Sequence, residues 1–397
     1  MTVPDPPATI AERWAESEVA LVEQLRDAIL ANGPMTFARF METVLYHAAH
    51  GYYVTRDDRA TRTGDFLTAP ELHPIFGTAL AAQVEEVWDR LDRPSPFVLR
   101  EEAAGSGALG MAILERLEVM ASPLAATIRY QPIETDPRRE AAARARLGDA
   151  GLGQHLVEAG SRDASMVGMV LANELLDALP VHRVTLQRGR FRERHVTWSA
   201  GWFSEVDLPP STPALKDALV REDIRLVEGQ VTEIGLAAAS WVRGLGARLH
   251  RGLAMVIDYG HPAPARYDPE RRRDGLLRTY RRHHVGDDPY RSVGRQDLTA
   301  HVDWTALELA AADGGLDILG RSSQAEALSG LGLGDLLVDL QATPGITAAT
   351  YAAARASVVR LLDPRATGGF GVLLLGRGLA HEPPLRSLAF RMPGRPV

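Results

Sequence analysis

Residues 97–110 read FVLREEAAGSGALG. Phe97, Val98 and Leu99 start an apolar run, and Glu101 and Glu102 follow it. The next six residues, Ala103 to Ala108, are all small, and a helix-like segment, MAILERLEVM, comes after Gly110. The order is strand, tight glycine turn, helix. In an open parallel α/β sheet such a turn is where a nucleotide-like ligand sits: small residues admit the ligand to the backbone, and the helix start offers N–H groups. A plain tight βα turn has the same look, so the neighbouring strands must decide.

They point the same way. Working outward, the strand 127–133 ends in Glu134, where an acidic residue can accept hydrogen bonds from both hydroxyls of a ribose. Asp136-Pro137 then caps a helical REAAARARL. A short strand is expected at 155–158. The run 166–172 is continuously apolar, as in a strand buried on both faces, and runs into Asn173-Glu174. Polar residues at that end of a buried parallel strand lie in the ligand crevice, so Asn173 and Glu174 are placed for chemistry. Further apolar strands are expected at 252–257, near 317–319 and at 368–376. A late strand pair after a β–α–β series matches a seven-stranded, mostly parallel sheet with an antiparallel last strand.

Around this core the period changes. Residues 1–95 read as a helical N-terminal region, and residues 51–81 (GYYVTRDDRATRTGDFLTAPELHPIFGTALA) as a functional loop, because the stretch is rich in both aromatic and acidic side chains. The core itself is read as 96–180, 250–261 and 304–380. Residues 181–249 form an insertion, with a hairpin at Arg188-Gly189 and helix resuming near Thr232. Residues 262–303 read as a substrate-side loop, with Tyr280, His283, Gln296, Asp297, Thr299, His301 and Asp303 as uncommitted polar groups. The tail after Ala380 reads as loosely held.

Composition narrows the chemistry. The 397 residues contain no cysteine, which removes disulfides and thiolate chemistry and suits a cytoplasmic protein. A net charge of −7 argues against a broad nucleic-acid surface, and no window is long and apolar enough to suggest a membrane span. Lys216 is the only lysine and no P-loop pattern surrounds it. The histidines lack metal-ligand spacing, so no metal is expected.

Several long motifs, in this order, resemble the MidA family of S-adenosylmethionine-dependent class I methyltransferases: GYY…TGDFLTAPEL, REEAAGSGALG, LANELLDALPVHR, VIDYGH, RTYRRH…VGRQDLTAHVDW and LLDP…GFGVLLLGRG. That family includes a mitochondrial protein arginine methyltransferase of respiratory complex I assembly. The resemblance implies a Rossmann-like α/β core and S-adenosyl-L-methionine as cofactor. It assigns Glu101, Ala103, Gly105, Ser106, Gly107, Glu134 and Asn173 to the cofactor, with Gly64 and Phe66 in a closing loop. It assigns Asn173, Glu174 and Asp65 to catalysis. Glu71, Asp177, His182, Tyr259, Tyr280, His283, Gln296 and His301 fall on the substrate side. Two positions depart from the family pattern: Ala103 replaces the first glycine of the turn, and Leu276 replaces the threonine of a G-T-L run. The partner is a protein substrate or a small-molecule N/O methyl acceptor, and a homodimer is allowed. A catalytically weak assembly protein and a dinucleotide oxidoreductase are the competing readings.

Overall fold

The computed structural model describes residues 8–55, 68–158 and 165–392. Asp65, Gly64 and Phe66 lie outside them. The chain folds as two units. One takes its described residues from Thr68–Leu176, Ala239–Gly260 and Leu307–Val397. The other takes them from Met1–Leu67, Asp177–Ala238 and His261–Ala306.

The first unit is built on one sheet. Its strands are β1 (Phe97–Glu102), β2 (Ile128–Ile133), β3 (Met166–Asn173), β4 (Leu249–Asp258), β5 (Asp317–Ser323) and β6 (Gly371–Arg377). They lie in the order β5-β6-β4-β3-β1-β2. β1 pairs in parallel with β2 on one side and β3 on the other, and β3 pairs in parallel with β4. β6 is antiparallel to both neighbours. Among the described residues the sheet therefore has six strands, where seven were expected. The stretch at 155–158 makes only a single parallel bridge, Tyr130 to Leu156, beside β2. A 3-10 turn, Gly153–His155, takes up the residues that a longer strand would need.

Burial explains the strands. Phe97, Leu99, Ile128, Tyr130, Met169, Leu171, Leu253, Met255, Val372 and Leu374 all join one core. Fully burying an aliphatic or aromatic side chain is worth about 1.5–3 kcal/mol, so this cluster dominates the unit's stability. Helix α1 (Ala69–Leu72) has Pro70 in its first turn, and α2 (Ile75–Arg90) buries Phe76, Leu80, Val84 and Val87 in the same core. Residues 68–95 thus sit in the sheet-bearing unit, not with the N-terminal helices. The described part of the tail, residues 381–392, is not loose either. Helix Arg386–Ala389 buries Ser387, whose hydroxyl donates to Gln83 Oε1, and Leu385 and Leu388 join the core.

The second unit is helical and antiparallel β. Helices Val19–Asn32 and Phe37–Tyr46 pack on Val196, Trp202, Phe203 and Tyr290. Strands His182–Gln187 and Arg190–Ser199 form the expected hairpin, with Arg188 at φ 52° and Gly189 at φ 67°, both left-handed as a two-residue hairpin turn requires. Two expectations fail here. Val231–Ile234 is a strand paired to His182–Gln187, and helix starts only at Leu236. The substrate-side loop holds a three-stranded sheet of Leu277–Arg281, His284–Gly286 and Asp297–Ala300.

Candidate cofactor site at the strand ends

The chain leaves β1 for β2 on one side and later places β3 on the other, so the topological switch point lies between the carboxyl ends of β1 and β3. After β1 the backbone makes a left-handed turn: Ala103 has φ 55°, Gly105 φ 58° and Gly107 φ 74°. Gly107 caps helix α3 (Ala108–Val119). A Cβ on Gly107 would press on Leu147 Cδ1 at 3.1 Å and Ala143 at 3.3 Å. A Cβ on Gly105 would meet no described atom within 4 Å. Gly107 is therefore glycine for packing and Gly105 for backbone shape and an open approach.

Glu134 faces this turn. Gly105 N–H donates to its Oε1 at 2.6 Å, which fixes the carboxylate over the glycines. Asp136, not Glu134, caps the following helix α4 (Pro137–Asp149). Ser106 Oγ donates to Glu71 Oε1 at 2.6 Å and accepts from Arg146 at 2.9 Å. Glu71, expected on the substrate side, is thus tied to the glycine turn.

The two carboxylates of β1 do different work. Glu102 is buried beside Arg100 at 2.8 Å and Arg248 at 3.6 Å, so it is neutralised within the sheet. Glu101 points the other way and accepts from Tyr130 Oη at 2.6 Å and Gly110 N–H at 3.0 Å. Burial pushes its carboxyl up to about 7, against the lowering pull of these two hydrogen bonds and with a further rise from Glu134 and Glu71. A carboxyl raised on folding stabilises the native state fully only below its unfolded value, and loses that advantage as pH rises through the folded one. Glu101→Gln keeps an acceptor for both donors. It should therefore flatten the fall in stability between pH 5 and pH 8 and be more stable than the parent at pH 8 by about 2 kcal/mol. Urea unfolding at the two pH values checks this, and parallel slopes would refute it.

At the end of β3, Glu174 has φ 51° and donates its N–H to Ile257 O at 2.9 Å. Its Oε1 accepts from Ala69 N at 3.4 Å and from Asn173 Nδ2 at 3.3 Å. Asn173 Oδ1 is buried and has no hydrogen-bond partner among the described residues. Such an atom is costly unless a bound group donates to it. Asp258, at the end of β4, accepts from Leu176 N at 2.9 Å and Tyr259 N at 2.8 Å, and so ties the two strand ends together. The sequence placed Asp258 at a strand end without giving it this role. Tyr259, expected on the substrate side, packs against Phe370 with ring centres 5.3 Å apart and planes tilted by 47°.

An open approach at Gly105, a carboxylate set over the turn and an orphaned buried acceptor at Asn173 fit a nucleoside carrying a cationic amino-acid tail. The left-handed Ala103 is the strained member, since an L-residue there costs about 1–2 kcal/mol. Ala103→Gly should raise stability by about 0.5–1 kcal/mol and leave cofactor affinity equal or tighter. Thermal unfolding with calorimetry reads both, and a clear loss of stability would count against the assignment.

The remaining substrate-side residues belong to the other unit and do not form one group. His182 Nδ1 pairs with the buried Glu193 at 2.7 Å. Gln296 donates to Asp288 O at 2.9 Å, a structural bond. His283 sits in an exposed hairpin turn at φ 63°, beside Tyr280 on the strand Leu277–Arg281. His301 stacks on His261 with ring centres 5.2 Å apart. Burial, then Arg272 and Arg266, hold His261 down to about 4, and burial, then His261 and nearby arginines, hold His301 to about 3. Both are neutral and weakly basic at pH 7, so neither suits a general base. Leu276 is buried, and its N–H donates to Glu233 Oε2 at 2.8 Å. Asp177 is buried within electrostatic reach of Tyr53.

Residues 79–322 match the profile of a family described as "Putative S-adenosyl-L-methionine-dependent methyltransferase". Among curated proteins, the chain is 28% identical over 329 residues to the Drosophila melanogaster homolog of mitochondrial protein arginine methyltransferase NDUFAF7. That alignment covers 76% of this chain and 72% of the relative. The Homo sapiens protein of that name is 28% identical over 346 residues, covering 80% and 75%. Among solved structures, a Burkholderia thailandensis superfamily member bound to S-adenosyl-homocysteine matches with a TM-score of 0.84 and 32% identity, covering 98% of each chain.

Proposed function

The chain belongs to this MidA-type family of S-adenosylmethionine-dependent methyltransferases, and from that premise we propose that it methylates an arginine side chain of a protein substrate. Two curated relatives are named protein arginine methyltransferases, which supports the acceptor class. The observation that carries the reading is Glu174, a carboxylate held in a left-handed backbone at the switch point beside Asn173. Strained residues of this kind persist where their surroundings over-determine them, and they cluster at active sites.

S-adenosylmethionine supplies a methyl group on a sulfonium, whose neutral thioether is a good leaving group. The protein's task is then alignment and charge placement. Glu134 would accept the ribose hydroxyls, Gly105 would let the ligand reach the backbone, and Asn173 Oδ1 would accept from the bound ligand. Arginine is always charged in water, so its nitrogen must be oriented and must shed a proton. Glu174 orients the guanidinium by charge-assisted hydrogen bonds. Methylation makes the N–C bond, breaks the S–C bond and releases one N–H proton, which Glu174 passes to water. The location we propose is the cytoplasm, on the cysteine-free composition, although the named relatives are mitochondrial.

Tritiated-methyl transfer into a cell extract tests the acceptor. Label recovered as methylarginine after acid hydrolysis of the protein fraction supports the reading. Label confined to metabolites overturns it in favour of a small-molecule acceptor. Calorimetry that showed no S-adenosylmethionine binding would instead favour the catalytically weak assembly protein.

A further inference from the structure

Within the sheet-bearing unit, helices α5 (Leu333–Ala342) and α6 (Ala348–Leu362) pack on each other and leave their outer faces to solvent. α5 buries Leu333, and α6 buries Ala354, Ser357, Val358 and Leu361. The sequence of α6 is AATYAAARASVVRLL, with Arg355 and Arg360 as its only charges. A helix that is apolar almost all round belongs in an interior. Yet Ala352, Ala353, Ala356 and Val359 of α6 are exposed, Val359 at 62%, and Val338 of α5 is 65% exposed. The charges beside these valines divide by helix. Asp335 and Asp339 share the outer face of α5 with Val338, by the i, i+3, i+4 spacing, and Arg355 stands one turn before Val359 on α6, next to Arg360. All four are exposed, and none has an ion-pair partner among the described residues.

An exposed face of this kind fits a partner that is apolar in the middle and opposite in charge along each helix. A second copy of this chain meets both conditions. In a two-fold contact, if α5 of one copy touches α6 of the other, then α6 of the first touches α5 of the second. The acidic helix thus meets the basic helix twice, and every charge faces its opposite. A uniformly acidic or basic partner would match one helix and be repelled by the other. We propose that the outer face of α5 and α6 joins two copies of this chain in a two-fold dimer. With 15 residues, α6 is about 22 Å long, and two helices side by side are about 20 Å wide, so the face covers about 450 Å² on each copy. A standard interface takes about 800 Å² from each partner, so the dimer is a weak one, with a dissociation constant in the micromolar range. The four charges then decide whether it forms. The proposal depends on neither the methyl acceptor nor the cofactor site.

Analytical ultracentrifugation of the full chain tests it, from about 1 µM to about 200 µM at low salt. The parent should pass from monomer to dimer across this range, and added salt should weaken the dimer. Two charge-reversed proteins carry the argument. One combines Asp335→Arg with Asp339→Arg and has two basic helices; the other combines Arg355→Asp with Arg360→Asp and has two acidic ones. Each alone should dimerise at least tenfold more weakly than the parent, because like charges now face each other in both halves of the contact. Mixed in equal amounts, the two should associate with each other within about threefold of the parent's affinity, since basic again meets acidic. Melting temperatures close to the parent's show that the variants fold, as expected for exposed positions. A parent that stays monomeric at about 200 µM overturns the proposal and leaves the face to a different protein. A dimer that either variant forms as tightly as the parent, or a mixture that fails to associate, also overturns it and puts the contact elsewhere on the chain.

Discussion

Gly168→Ala should cost the protein on the order of 4 kcal/mol, enough to leave much of it unfolded at 37 °C. Gly168 lies in the middle of the sheet, opposite Val98 of β1 on one side and Gly252 of β4 on the other. Its φ is 153° and that of Gly252 is 145°, conformations that side chains rarely adopt. A Cβ on Gly168 would stand 2.0 Å from the carbonyl oxygen of Val98, and one on Gly252 would stand 1.8 Å from the carbonyl oxygen of Gly168. The obstacle in both cases is backbone of a paired strand, which cannot swing aside as a side-chain tip can. Gly148→Ala is the matched control. It is exposed in α4, with no described atom within 4 Å of the added methyl, and should stabilise by about 0.5–1 kcal/mol. Urea unfolding of the two variants should move in opposite directions. A Gly168→Ala protein within about 1 kcal/mol of the parent would show that the three strands are less tightly matched than their register implies.

Glu134→Ala should weaken S-adenosylmethionine binding by about 100-fold with little change in melting temperature. Charge-assisted hydrogen bonds contribute about 1.5–3 kcal/mol each, and every 1.4 kcal/mol is tenfold in affinity. The alanine variant loses the acceptor for the ribose hydroxyls and also frees Gly105 N–H, so the turn is no longer held in shape before the ligand arrives. Glu134→Gln keeps an acceptor oxygen but not the charge, and should fall between, at about tenfold. Calorimetric titration of the three proteins decides the matter. An alanine variant within about threefold of the parent would move the ribose away from β2 and leave Glu134 as a support of the turn only.

Much of the sheet-bearing unit could be read from the residues because its signals are local. The apolar runs of β1 and β3 are buried on both faces, so they show as continuous hydrophobic stretches. Arg188-Gly189 announced its hairpin because a glycine in a two-residue turn is a local requirement. What was missed depends on partners far along the chain. Val231–Ile234 is four residues long, too short to display alternation, and its strand character comes from pairing with His182–Gln187. The hairpin at 277–286 turns through Arg282 and His283, at φ 49° and 63°, without the glycine or asparagine that usually marks such a turn.

The candidate site divides in the same way. That residues 101–107, Glu134 and Asn173-Glu174 stand at strand ends followed from strand order. That Glu101 engages Gly110 and Tyr130, that Glu102 pairs with Arg100, and that Glu71 holds Ser106 did not, because a strand's facing and a loop's return are set in three dimensions. The Tyr53 hydroxyl donates to Asp297 Oδ1 across 244 positions, and no spacing rule joins the two.

The placement of β6 has a consequence for synthesis. Of this sheet's described strands it is made last, yet it belongs between β4 and β5 and supplies both with their hydrogen-bond partners. Until residues 371–377 have emerged, the nascent chain carries two open strand edges facing a gap one strand wide. Open edges of this kind recruit any extended segment at hand. A message truncated shortly before codon 371 would therefore yield a chain prone to insert a foreign strand, not a smaller working enzyme.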